Sequence, residues 1–168
     1  MTDHLYWPSW FLAALLTGIV GGFMLGHALI LAQFLNFLLL AGAPALSQAY
    51  PAFRGSAGRS GLDAYYAVAG LQVIGTTAFL LVSLAARRHR TAALVAGVAG
   101  VLWIAMHYAS GFGALEASVL RSAGPVSQDV AGRFVGWNVP IHVFHAASLT
   151  VALGALLSVP LAALRRRG

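Results

Sequence analysis

Four histidines, His27, His107, His142 and His145, lie in stretches so apolar that a lipid bilayer is the solvent that suits them. Hydrocarbon cannot solvate an ionisable side chain, so an imidazole there implies a metal, a haem, a proton or a buried polar partner. His142 and His145 fall at i and i+3 within Trp137-Asn138-Val139-Pro140-Ile141-His142-Val143-Phe144-His145. That spacing puts both rings on one helix face. Asn138 and Pro140 read as the cap and first turn of this helix, with Trp137 as an interfacial anchor. The positive helix end then favours neutral imidazole, the form that binds metal. The expected metal ligands are His107, His142 and His145, and the expected cofactor pocket is lined by His27, His107 and His145 with Gln72 on its wall. Histidine-only sites suit haem iron, copper and zinc alike, so the cofactor is expected to be haem b or a bound copper, iron or zinc ion. There is no cysteine, which excludes disulfides, thiolate zinc sites, iron–sulfur clusters and covalent haem attachment.

The elements that must position these residues follow from composition. The chain is 60% hydrophobic and 8% charged, with a mean hydropathy of +0.82, whereas soluble domains carry roughly 25% charged residues. The expectation is an all-α integral membrane protein, a four-transmembrane-helix bundle forming a single domain over residues 1–168. Its spans run from about Trp10 to Leu40, Ala64 to Ala86, Ala92 to Leu115 and Gly136 to Leu164. The first and last exceed the ~20 residues a bilayer core requires, which predicts tilt or a kink. The N-terminus lacks a basic segment before its apolar run, so no cleaved signal is expected.

Arginine distribution sets the expected orientation. Arg87, Arg88 and Arg90 fill a tight second loop and Arg165, Arg166 and Arg167 end the sequence, placing that loop and both termini in the cytoplasm of a bacterial inner membrane. The two outer loops also carry Arg54, Arg59, Arg121 and Arg133, offset by Asp63, Glu116 and Asp129. Both contain Gly/Ser/Pro-rich stretches, Gly55-Ser56-Ala57-Gly58 and Ser122-Ala123-Gly124-Pro125, of the kind that forms lids or docking surfaces. No basic patch of nucleic-acid size exists.

Depth and phase bring the polar residues together. At about 1.5 Å per residue from the cytoplasmic ends, Gln72 and His107 come at roughly 20 Å, and His27 and His145 at roughly 25 to 30 Å, with His142 nearer the mouth. In the third span Gly100, Ile104, His107 and Gly111 share a stripe, and in the second Tyr65, Gln72, Thr76 and Ser83 share another. Gly18, Gly22 and Gly26 form a double G-x-x-x-G that reads as a helix-packing seam bordered by His27. Asn36 lies opposite His27 in helical phase, which makes Gln33 the better partner unless the helix breaks between them. His4 and His89 are expected at the surface, Met24 and Met106 in the core, and Glu116, Arg121, Asp129 and Arg133 as solvated loop charges. A histidine inside a bundle can also simply tie helices together by hydrogen bonds.

Four short spans, a Gly-rich first helix, a long outer loop, a tight Arg turn, and a last helix opened by Trp137 with His142 five residues on resemble the small four-span membrane proteins related to anthrone oxygenases. Where that family has an Asn-x-Pro-x-Asn element near the end of its third helix, this chain has Met106-His107-Tyr108, and an Arg after the last-helix His is replaced by Phe144 and His145. The resemblance implies oxidation of an aromatic or lipid-soluble substrate by oxygen, with Trp137 and His142 the positions that carry over. The residues themselves lead to a membrane redox protein with a histidine-held haem or metal, passing electrons or oxidising a lipid-soluble substrate, with a quinone or another lipid-soluble molecule, or an outer-side electron carrier, as its partner. An anthrone-oxygenase-like enzyme and a non-catalytic subunit, as a homo-oligomer or within a larger complex, are the alternatives.

Overall fold

The computed structural model describes residues 2–41, 57–122 and 124–165, and these are helical almost throughout, with no strand among them. The elements are α1 (Thr2–Gly26), a π-helical segment (His27–Leu31), α2 (Ala32–Leu40), α3 (Ala57–Ala86), α4 (Arg90–Ala109), α5 (Phe112–Leu120) and α6 (Gln128–Arg165). Four stretches, His4–Leu40, Asp63–Ala86, Arg90–Ala109 and Gln128–Arg165, are long and apolar enough to cross a membrane. α1 packs on α3 and α6, and α4 packs on the same two helices, so the four long elements close into a square. Arg54, Gly55, Ser56, Arg166 and Arg167 lie outside the described residues, as does Ala123.

At one end the square is pinned by the Arg turn. Arg87 and His89 take left-handed backbone conformations, and the turn folds Arg88 over the Tyr6 ring at 5.9 Å. His89 sits 6.3 Å from the same ring and is half-buried rather than a free surface residue. Nearby, Pro160 has no amide hydrogen and therefore leaves the Leu156 carbonyl without its helical donor. The Trp10 indole takes that role, donating to Leu156 O at 2.7 Å and tying α1 to α6. The core above this end is Ala13, Phe79, Ala93, Ala96, Leu156 and Val159.

Several expected boundaries shift. Helix α3 begins at Ala57, so Ala57 and Gly58 are helical rather than loop. The third span stops at Ala109 instead of Leu115, because Gly111 adopts φ +77°, a left-handed conformation that glycine enters without strain and that turns the chain back. The last helix starts at Gln128, not Gly136. Ser127 caps it, its hydroxyl accepting from Val130 N at 3.4 Å, so Asn138 and Pro140 are interior positions and not a helix start. The glycine seam is also corrected: Gly22 and Gly26 are exposed, and an added Cβ at Gly18, Gly22 or Gly26 would meet nothing within 4 Å. The close backbone approaches lie instead at Gly97, where a Cβ would come 2.9 Å from Leu80 Cδ2, and at Gly100, where it would meet Thr76 at 3.0 Å.

Candidate metal centre

The π-helical segment decides which side chains of the first span face the bundle. From His27 to Asn36 an unbroken α-helix would turn half a revolution out of phase. The i→i+5 pattern, seen where Ala32 N reaches His27 O, adds the equivalent of one residue and rotates everything beyond it by about 100°. As a result Asn36 faces α6 and Gln33 is exposed, the reverse of the expected pairing. Asn138, fully buried on α6, donates to Ala32 O at 3.0 Å and to Asn36 Oδ1 at 2.9 Å, so its amide anchors the far side of the π segment.

One turn further along α6, His142 Nδ1 lies 2.6 Å from the Asn138 carbonyl oxygen. A carbonyl only accepts, so Nδ1 carries the proton and Nε2 keeps its lone pair for a ligand. His142 is buried, not solvated near a mouth, and its ring stacks on His27 with centroids 3.8 Å apart. His145 is fully buried beneath, 5.4 Å from His142 and 5.5 Å from His107. The four imidazoles therefore form one contiguous group.

Glu116 joins them, which the sequence did not foretell. After the Gly111 reversal, α5 folds back along the bundle instead of prolonging α4, carrying Phe112 and Glu116 over the histidines. Glu116 is half-buried, with Oε2 3.8 Å from His107 Nε2, and Phe112 packs 5.6 Å from both His107 and His142. Gly113 leaves room for this, since a Cβ there would stand 3.0 Å from His107 Nε2. Ligand atoms of His27, Glu116 and His142 all lie within 4.8 Å of one another. A tetrahedral ion with bonds of about 2.1 Å spaces its ligands about 3.4 Å apart, so the ligand atoms would draw together by under about 1 Å each while the stacked rings of His27 and His142 tilt apart to aim both lone pairs at the ion.

Gln72 belongs to the layer below. Its Nε2 contacts Thr17 Oγ1 at 3.4 Å and its Oε1 accepts from the Trp103 indole at 3.1 Å, so its amide is already engaged in holding α1, α3 and α4 together. Trp103 in turn meets His145 edge-on at 5.6 Å and floors the site. Tyr65, Thr76 and Ser83 accompany Gln72 on the inward stripe of α3. Of the two residues carrying the family resemblance, His142 is in the group and Trp137 is 49% exposed on the outside of α6. Asp129 and Arg133 pair at 3.2 Å on the surface, as expected of solvated charges.

Polar satisfaction separates a ligand site from a structural tie. Both nitrogens of His145 and Nε2 of His27 are buried with no hydrogen-bond partner. A buried polar atom left so costs about 1 to 3 kcal/mol, and native interiors rarely tolerate a cluster of them. Among the described residues, the one hydrogen bond made by these imidazoles runs within α6, so none of them ties two helices that way. Comparison with protein-family models, curated proteins and solved structures gives no significant match to this chain.

Proposed function

We propose that this chain is an integral membrane metalloprotein whose buried centre takes a transition-metal ion through His27, His142 and Glu116. The observation that carries this reading is the convergence of their ligand atoms to within 4.8 Å, reinforced by the Nδ1–H of His142 directed to a carbonyl. Ligating histidines usually have this outer contact, which fixes the ring and its tautomer. A metal ion fits this group better than a haem: His27 and His142 stack face to face at 3.8 Å, leaving no slot for a macrocycle between them.

Membrane insertion is supported by what the bundle leaves outside. Ile30, Ile74, Val98 and Leu161 are all more than half exposed, and continuous apolar surface on four long helices suits hydrocarbon, not water. The Arg turn and the N-terminus lie at one end and the histidines toward the other, so cytoplasmic arginines put the centre in the outer half of the bilayer. Copper or iron there would make the chain a redox protein, and its lipid-soluble substrate, a quinone or similar ring, would approach past Phe23 and Tyr65, whose rings lie 4.5 Å apart beside His27. Elemental analysis of tag-free protein purified in detergent tests the reading. Bound copper, iron or zinc is expected in the wild type and its loss in His27→Ala and His142→Ala; metal-free protein that also fails to take up added ions would overturn it.

A further inference from the structure

The first group leaves two histidines over. His27, His142 and Glu116 already supply three ligands, the number a catalytic ion takes from protein. His107 and His145 stand beside them, and His145 has two buried nitrogens without partners. His142 Nδ1 is committed to the Asn138 carbonyl, and on the single-ion reading its Nε2 serves the first ion, so it is not a co-ligand with His145 for another. That leaves His107. Two imidazoles bound to one tetrahedral ion through bonds of about 2.1 Å place their ring centres about 5 Å apart, and His107 and His145 stand at 5.5 Å. The Glu116 carboxylate stands 3.8 Å from His107 Nε2 and within 4.8 Å of the ligand atoms of His27 and His142, so it reaches both pairs.

We infer that the centre is dinuclear: a second transition-metal ion is held by His107 and His145, and Glu116 bridges it to the ion at His27 and His142. This rests on the single-ion reading above and extends it. Paired ions in such sites lie about 3.5 to 4 Å apart and share small oxygen ligands. Two divalent ions beside one carboxylate leave an excess of positive charge in an apolar interior, which a bridging hydroxide offsets; the shared water gives up its proton to the medium as the ions bind. Phe112, Phe134 and Ile141 pack on one side of the group and Trp103 forms its floor, while the part-exposed side chains of His107 and Glu116 leave the water a way in and its proton a way out.

Cobalt(II) titration of the tag-free, metal-stripped full chain in detergent tests the inference, with visible d–d absorption as readout and elemental analysis after desalting. The wild type is expected to saturate at two equivalents, and His145→Ala and His107→Gln at one, with helix content by circular dichroism confirming their fold. Saturation of the wild type at one equivalent overturns the second site and leaves the first standing. Retention of two equivalents by both variants also overturns it. No uptake of cobalt overturns both readings together, and the wild-type titration decides these cases even if a variant does not fold.

Discussion

At the scale of single residues, the centre depends on how each imidazole is held as much as on its presence. His142 is oriented by a carbonyl of its own helix, whereas His107 is positioned from outside, by Glu116 and by the space that Gly113 leaves. Gly113→Ala would press a methyl group to 3.0 Å from the His107 ring. It should therefore weaken the second cobalt equivalent by about 10-fold, in the range of lost outer contacts at metal sites, and leave the first nearly unchanged. Titration of that variant checks it; equal weakening of both steps would show that His107 does not serve a separate ion. Type and position of the four histidines were legible in the sequence because a polar ring in an apolar run stands out. Glu116 was not, since a carboxylate just beyond a span reads as a loop charge until the reversal at Gly111 is known.

Helices carry the next set of consequences. The π segment is what turns Asn36 toward Asn138 and seats His27 against His142. Deleting the outward-facing Ile30 should convert it to plain α-helix, rotating α2 by about 100°. Helix content should stay the same and metal uptake at the first site should fall; undiminished uptake would mean that the segment is incidental. A single sequence pattern assumes 3.6 residues per turn throughout, so a local change of period escapes it, and Gln33 was favoured for that reason. The start of the last helix was misplaced on similar grounds. Asn138 and Pro140 are good capping residues, but a buried asparagine can instead bond across to another helix, and a proline inside a helix is tolerated where a neighbour serves the freed carbonyl. Trp10→Phe, which removes the donor to Leu156 O, should lower stability by about 1 kcal/mol, read as an earlier thermal unfolding midpoint in detergent.

Across the whole molecule, four apolar spans were evident from composition, and the common level of the histidines followed from their distance to the Arg clusters. Which glycines mediate packing was not, because Gly22 and Gly26 repeat at the right spacing on a face that turns outward, while Gly97 and Gly100 do the packing from α4. The proposed orientation makes a separate prediction. In intact cells, Ser118→Cys on α5 should react with an impermeant maleimide, and Arg90→Cys at the start of α4 should react only after the membrane is opened. The opposite pattern would invert the topology and put the centre in the inner half of the bilayer. The most direct measurement of the central claim is X-ray absorption at the edge of the metal that copurifies with the protein. Oxygen and nitrogen neighbours at about 2.0 to 2.2 Å, with the outer-shell scattering of at least two imidazoles, are the predicted result. A spectrum without imidazole scattering, or one with the fourfold pattern of a porphyrin, would contradict it.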